Sequence, residues 1–195
     1  MFLNGKSAWL DALGRSHYAE VIDMLNDART THYMFYGQRP LTDEQGVQML
    51  EAQVSNPNNV VFGVWMPGGS RLFGFAGLYD IHLSAQKADF RILLDVELCG
   101  QGIGTEVTKM LLYYGFDRLN LHRIALGVTS ENIGAIKAYK RAGYVEEGAL
   151  RDDIFRNGRW YDSIKMAMLR SEYEAKYAAD YRERFEAKPP GRPAT

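Results

Sequence analysis

The sequence predicts one α/β domain built on a mixed, mostly antiparallel, twisted sheet that helices flank. Two tight turns join neighbouring apolar runs into hairpins, whereas segments with helical periodicity separate other apolar runs. The chain has 195 residues, 46% of them hydrophobic and 12% aromatic, which is enough to bury one sizeable core. We therefore expect a single domain in which hairpins and helical crossovers are interleaved.

The first half of the chain predicts a strand and two helices followed by a hairpin. Its expected elements are, in order, a strand at 7–13, a helix at 18–26, a helix from 43 to about 54, and strands at 60–65 and 71–81. Thr42 and Gln45 have the spacing of a capping box, which fixes the start of the second helix. Pro67-Gly68-Gly69, between two apolar runs, indicates the hairpin turn.

The second half alternates strands and helices and closes on another hairpin. Its expected elements are a strand at 89–96, a helix from the glycines of 100–104 to about 118, a strand at 123–128, a helix at 132–142, strands at 144–155 and 159–169, and a tail helix at 171–186. Asn157-Gly158 is typical of a two-residue hairpin turn. The expected division is a domain at 1–170, a C-terminal helix at 171–187 and a disordered tail at 188–195, which holds three of the six prolines.

Charge, cysteine content and hydropathy exclude several classes of function. Lys and Arg number 23 and Asp and Glu 24, a net charge of -1, so we expect no nucleic-acid partner. The single cysteine, Cys99, excludes an internal disulfide, and the scattered histidines suggest no metal site. No apolar run approaches the ~18 residues that cross a bilayer, and the N-terminus lacks a signal-peptide pattern. We expect a cytoplasmic protein without a membrane partner.

A glycine-rich turn at 99–106, reading Cys-Gly-Gln-Gly-Ile-Gly-Thr-Glu, lies where a predicted strand ends and a helix begins. Glycines there let the backbone approach a ligand, and the free N–H groups of a helix N-terminus favour an anion such as a phosphate. The dinucleotide pattern would need a glycine where Val107 stands, and the P-loop lysine is absent. The alternative is a helix cap without a ligand.

A second segment follows about thirty residues later, with Asn132, Ala135, Tyr139, Gly143 and Tyr144 at set spacings. With the glycine turn, it resembles the Gcn5-related N-acetyltransferase (GNAT) superfamily over about 7–170. The run 148–169 is similar to the branch of ribosomal-protein N-terminal acetylases and amino-sugar acetyltransferases. The resemblance implies acetyl-CoA as co-substrate and transfer of its acetyl group to a primary amine on a small molecule or a protein N-terminus.

The resemblance also implies where acetyl-CoA binds. The implied cofactor-binding residues are Leu94 and Val96 through the backbone, Gln101, Gly102, Ile103, Gly104 and Thr105 in the pyrophosphate turn, and Asn132. Asn132 has a second interpretation as a helix cap. Cys99 departs from the Arg or Gln that usually begins the turn, which removes a phosphate-binding side chain but leaves the backbone amides.

Acetyl transfer to an amine needs a base and a proton donor. Asp89 matches the family position that often carries a carboxylate, and Glu97 is the second candidate base. Either is alternatively a solvated charge at a strand end. Tyr139 matches the tyrosine that protonates the leaving thiolate, although Ala135, Ile136, Tyr139 and Ala142 also form one helix face that a core would use. No metal site is expected.

The acceptor is expected between the first two helices and the last hairpin. The connection at 29–40 is aromatic and has no acidic residue, so a polyamine is disfavoured; Arg29, Arg39 and Arg91 would tolerate a carboxylate or phosphate, as in a nucleotide-linked amino sugar. In the tail helix Tyr173, Tyr177, Tyr181 and Phe185 form a stripe that packs on the domain or on a second subunit, which leaves a homodimer open. The alternative function is a degenerate CoA-binding or partner-binding module.

Overall fold

One eight-stranded sheet forms the centre of the computed structural model, which describes residues 2–34, 39–68 and 71–186. The strands are β1 (Leu3–Asn4), β2 (Trp9–Ala12), β3 (Val60–Trp65), β4 (Leu72–His82), β5 (Lys87–Leu94), β6 (Arg123–Thr129), β7 (Val145–Arg156) and β8 (Arg159–Leu169). The helices are α1 (Tyr18–Asn26), α2 (Asp43–Val54), α3 (Ile103–Tyr113), α4 (Ile133–Arg141), α5 (Arg170–Lys176) and α6 (Ala178–Phe185). The fold is therefore the expected α/β class.

The strand order is β1-β2-β3-β4-β5-β6-β8-β7, and the described strands pair antiparallel except for β5 with β6. These two strands are parallel because α3 crosses between them, whereas short connections join the antiparallel pairs β1–β2, β3–β4, β4–β5 and β7–β8. The sheet is thus mostly antiparallel, as predicted, and among the described strands its parallel pairing is that of β5 with β6.

Each face of the sheet carries its own layer of helices. On one face, α3, α4 and α6 enclose a core that includes Phe90 and Ile124 from the two central strands. On the other face, α1 and α2 cover Trp65, Phe75 and Leu93. Along β5, Phe90 and Leu93 therefore point to opposite faces, as the period-2 alternation of a strand requires. Helices therefore cover the central strands on both faces.

Several predicted boundaries are confirmed. α1 covers 18–26 and β3 covers 60–65 as expected. Thr42 caps α2: its Oγ1 accepts from the Gln45 N–H at 3.3 Å, while Gln45 Oε1 accepts from the Thr42 N–H at 3.1 Å. The predicted hairpin turn includes Gly69, which lies outside the described residues.

The strand predicted at 89–96 was misplaced by two residues. β5 ends at Leu94 because the Asp95 carboxylate accepts from the N–H of Glu97 at 3.0 Å and opens a 3₁₀ turn at Val96–Leu98. Val96 is therefore on a turn and not on the strand. The long helix predicted to reach 118 is α-helical only to Tyr113 and continues as a π-turn at Tyr114–Arg118.

The tail forms two helices rather than the single predicted one. They meet at Tyr177, where φ is −127°, yet the i to i−4 bonds from Tyr177 to Tyr173 and from Tyr181 to Tyr177 are kept. The aromatic stripe packs within the chain: Tyr173 stacks on Phe116 at 4.7 Å between ring centroids, and Tyr181 donates to the Ala142 carbonyl at 3.0 Å. The tail predicted at 188–195 lies outside the described residues.

Candidate active site

A gap opens in the middle of the sheet between β5 and β6. The two strands pair only where Lys87, Ala88 and Asp89 face 123–125, although β5 continues to Leu94 and β6 to Thr129. The N–H of Asp95 donates to the carbonyl of Phe73 on β4 at 2.9 Å. Because N–H groups alternate between the two edges of a strand, the N–H of Leu94 points to the open edge. The gap thus offers unpaired backbone groups to an extended ligand.

The glycine turn stands at the N-terminus of α3. Gly100 and Gly102 have φ of +83° and +85°, which favours glycine, and a Cβ on either would meet no atom within 4 Å. The first helical bond runs from Glu106 N–H to Gly102 carbonyl, at 3.1 Å. Within the described residues, the N–H groups of 103–105 have no acceptor, so three donors at the positive end of the helix dipole are left for a ligand. This arrangement fits a pyrophosphate.

The side chains flanking this turn are held by local hydrogen bonds. Gln101 Nε2 donates to the carbonyl of Glu97 at 3.0 Å, and Asn132 Oδ1 accepts from the N–H of Ala135 at 3.0 Å. Asn132 therefore caps α4, as its second interpretation states. Cys99 is exposed where the turn begins. The Val96 N–H lies 3.4 Å from Thr30 Oγ1, so it is not free as the Leu94 N–H is.

Tyr139 lies on α4, against the face of β5 that α3 also covers. Its ring contacts those of Phe90 and Tyr144, at centroid distances of 5.9 and 6.0 Å. Its hydroxyl has no hydrogen-bond partner among the described residues. Burial raises the pKa of Tyr139 above its usual value, so the phenol carries its proton at neutral pH. The side chain is both a packed residue and an unused proton donor.

The two candidate bases lie at opposite ends of β5, and both are exposed. Asp89 pairs with Ala125 at the closed end of the gap, on the face opposite the neighbouring Phe90. It lines a pocket of about 280 Å³ with His82 and Arg123. Glu97 lies beyond the other end of β5, so the structure does not bring the two carboxylates together. Asp89 and Tyr139 instead flank the closed end of the gap from opposite faces.

Glu97 belongs to an acidic pocket of about 260 Å³. Glu20 and Asp23 of this pocket lie on α1, and Asp27 directly follows α1. Asp95 caps the 3₁₀ turn, and Glu97 lies within that turn. The connection at 29–40 has no acidic residue, but the fold places these acids beside it. The charges of the connection alone could not reveal this acidic pocket, because its carboxylates come from other segments of the chain.

Two of the three arginines considered for the acceptor are already paired. Arg29 binds Asp27 at 2.8 Å, and Arg91 binds Asp80 at 2.7 Å. Arg39 is exposed.

Sequence reasoning missed Arg156, on β7 beside the Asn157-Gly158 turn. Its side chain is only 2% exposed, and it lies on the same strand face as the buried Ile154. Within the described residues, its Nη1 has no hydrogen-bond partner. The period-2 alternation of a strand puts Arg156 on the same face as Ile154, and this was the available signal that Arg156 is buried. A charged residue next to a turn, however, suggests exposure.

The parts of the chain that the structure describes contain neither a cluster of three or more metal-ligating side chains nor a helix long and apolar enough to span a membrane.

Comparisons with known proteins place this architecture among acyltransferases. The profile of the acetyltransferase (GNAT) domain matches residues 9–145. The spermidine N(1)-acetyltransferase of Vibrio cholerae is 38% identical over 102 residues, which cover 52% of this chain and 59% of the relative. Bacillus subtilis YdaF, named as a candidate ribosomal N-acetyltransferase, is 26% identical over 160 residues, or 80% of this chain and 86% of YdaF.

A solved structure extends the likeness over most of the fold. The Vibrio cholerae spermidine N-acetyltransferase in complex with CoA and spermine superposes with a TM-score of 0.79 and 29% identity, covering 86% of this chain and 98% of the other. The sequence match, in contrast, spans little more than half of the first curated relative.

Proposed function

The chain belongs to the GNAT acetyltransferase family, and on that premise we propose that it transfers the acetyl group of acetyl-CoA directly to a primary amine. The observation that carries the proposal is the gap between β5 and β6, which lies beside three N–H groups at the N-terminus of α3 that have no acceptor in the described parts of the chain. An extended strand-like arm with a pyrophosphate at one end fits both features. The acceptor is a small molecule or a peptide N-terminus.

Acetyl-CoA supplies the activated acyl group, and backbone groups of this chain hold it. The N–H groups of Ile103, Gly104 and Thr105 bind the pyrophosphate, with Gly102 giving the close approach. The N–H of Leu94, at the open edge of β5, is positioned to hydrogen-bond the thioester carbonyl as negative charge develops on its oxygen. Gln101 Nε2, Asn132 Oδ1 and the N–H of Val96 already have partners, so these atoms contribute to the shape of the turns, and the remaining side-chain amide atoms of Gln101 and Asn132 are left for acetyl-CoA.

Proton transfers complete the reaction. An ammonium group with a pKa of about 10 must lose a proton before its nitrogen can attack, and Asp89 accepts that proton directly or through water. The new N–C bond then forms as the C–S bond breaks: Tyr139 donates its proton to the departing thiolate, and the second proton, which the nitrogen loses on becoming an amide, passes to solvent, from which Tyr139 is reprotonated. Glu97 is the second candidate base, at the acidic pocket.

Two finer features belong to the same proposal. A cytoplasmic location agrees with a single, unpaired cysteine. If the protein forms a homodimer, the surface is not the tail stripe, since Tyr173 and Tyr181 are fully buried within the chain. The edge strand β7 is then the supported surface, because it is twelve residues long and carries exposed Leu150 and Phe155.

The test is turnover with a panel of primary amines, monitored by release of the CoA thiol. The panel contains spermidine, an amino sugar, a nucleotide-linked amino sugar and a peptide with a free N-terminus. Calorimetry with acetyl-CoA is measured in parallel, because binding without turnover would identify the degenerate CoA-binding module instead. A protein whose melting temperature acetyl-CoA does not raise would contradict the proposal altogether.

A further inference from the structure

A buried guanidinium with an unused donor lies at the end of the sheet where the gap is open. Arg156 lies against the rings of Tyr33 and Tyr161, with its Cζ 5.6 and 5.0 Å from their centroids. Its Nη2 donates to the carboxylate of Glu131, and its Nη1 has no partner among the described residues. A charged group buried with a donor unpaired is destabilising, so a ligand that supplies an acceptor there is favoured.

Two further polar groups without partners lie on the same face of the sheet. Thr129 and Ser163 face each other across β6 and β8, both fully buried, and neither hydroxyl has a partner among the described residues. Tyr161 is two residues from Ser163 on β8, so alternation puts its ring on that face as well. Three unused donors therefore share one face with an aromatic wall.

This face is the one that carries the candidate base. Asp89 is paired with Ala125, and Ala125 and Thr129 are four residues apart on β6, so all three side chains project to the same side. Arg156 also joins the last hairpin to the connection after α1 through its contact with Tyr33. Those are the two segments between which the amine acceptor is expected.

The acidic pocket beside Glu97 is the competing place for the rest of an acceptor. Most of its carboxylates are already used: Asp27 by Arg29, Asp95 by Arg71, and Glu20 by the N–H of Leu72 at 3.1 Å. A second ammonium group on the acceptor would therefore find few free carboxylates there.

We propose that Arg156, assisted by Thr129 and Ser163, binds an oxyanion of the acceptor, so that the preferred acceptor is a primary amine carrying a carboxylate or a phosphate. The inference rests on the proposed acetyltransferase function. Arg156 acts here as a specificity residue: its guanidinium, beside the rings of Tyr33 and Tyr161, forms charge-assisted hydrogen bonds with the oxyanion.

The test uses the full chain saturated with CoA and four amines as probes. Ethanolamine, β-alanine and phosphoethanolamine carry the same two-carbon amine with a hydroxyl, a carboxylate and a phosphate, and spermidine supplies additional positive charge. We expect calorimetry to give tighter binding of one or both anionic amines than of ethanolamine, by about 10- to 100-fold. The two anionic arms distinguish carboxylate from phosphate.

Variants then assign the preference to this side chain. Arg156→Gln is expected to remove it, Arg156→Lys to restore part of it, and Arg159→Gln, an exposed arginine across the same turn, to leave it unchanged. In turnover, the loss should appear in KM for the anionic amine and not in kcat. If Arg156→Gln fails to fold, Ser163→Ala replaces it, with a smaller loss expected.

The outcomes separate this inference from the proposed function. Binding of CoA with equal or tighter binding of ethanolamine or spermidine overturns the oxyanion site and leaves the acetyltransferase intact. So does an Arg156→Gln variant that weakens all amines equally, or a CoA complex that binds neither anionic amine. Failure to bind CoA at all overturns the proposed function first.

Discussion

At the scale of single residues, two neighbouring tyrosines differ in a way that chemistry can test. Tyr139 and Tyr144 both contact the ring of Phe90, and burial raises the pKa of each. Tyr144 is fully enclosed, whereas Tyr139 is partly accessible on α4 beside the gap. Two chemically identical side chains are therefore placed differently: Tyr139 lies beside the candidate site, and Tyr144 lies in the core.

Replacing Tyr139 with Phe removes the proton and keeps the ring. General acid catalysis contributes about 10²- to 10⁴-fold in rate. Because a thiolate leaves readily even without a proton donor, we expect kcat to fall by about 10²-fold or less. Affinity for acetyl-CoA and the melting temperature should stay near wild type, and steady-state kinetics with calorimetry measure both.

Tyr144→Phe is the matched control, because it removes a buried hydroxyl that has no partner among the described residues. Its melting temperature should be equal or higher and its kcat unchanged. Unaltered kcat in Tyr139→Phe would reduce Tyr139 to a core residue. Equal losses in both variants would point to packing rather than proton transfer.

At the scale of elements, the boundary between a strand and a helix determines the candidate cofactor site. β5 stops at Leu94 because Asp95 caps a 3₁₀ turn, and two glycines with positive φ then lead into α3. The ends of elements, rather than their interiors, thus hold the groups that are free to bind.

Gly102→Ala tests this boundary. The added methyl meets no protein atom, but φ of +85° strains an alanine by roughly 1 kcal/mol, and the methyl enters the space assigned to the pyrophosphate. We expect acetyl-CoA affinity measured by calorimetry to fall at least ~10-fold.

Gly158→Ala provides the control for strain, since φ is +77° there, open space surrounds the Cβ, and the hairpin turn lies away from α3. It should lose similar stability and keep wild-type affinity. Retained affinity in Gly102→Ala would refute the placement of the pyrophosphate.

Element boundaries set by residues close together in the sequence could be predicted, whereas boundaries set by a side chain that binds back to the backbone could not. The capping box of Thr42 and the apolar spacing of Val21, Ile22 and Leu25 lie within one turn or two, so α1 and the start of α2 were correct. The end of β5 depends on a side chain, Asp95, binding back to the backbone, which no periodicity reveals.

The same distinction holds for the site. The glycine turn was visible as a local pattern, whereas Arg156 meets Glu131, which is 25 residues away, and Tyr33, which lies in the distant connection after α1.

At the scale of the whole molecule, α5 and α6 brace the face of the sheet that α3 covers. Arg182 on α6 donates to Asp117 after α3 at 2.7 Å, and Phe185 lies against the ring of Tyr113, 6.1 Å between centroids. The tail is therefore part of the core that positions α3.

Tyr181→Ala should show this dependence. Removing a fully buried aromatic ring costs about 3–5 kcal/mol, so we expect a clear drop in the melting temperature. Glu183→Ala, exposed on the same helix, should change it little. A wild-type melting temperature for Tyr181→Ala would mean that the tail does not support the domain in solution.

The short seam between β5 and β6 has a consequence for amide hydrogen exchange. Strands at the centre of a sheet normally protect their amides best, because exchange there needs global unfolding. β5 is central, yet past Asp89 its edge toward β6 is unpaired, so the amides of Ile92 and Leu94 are candidates for rapid exchange amid slow neighbours. Added CoA should slow these two amides selectively, while Leu93, whose N–H faces β4, stays slow with or without it; equal rates for all three would mean that the gap is closed in solution.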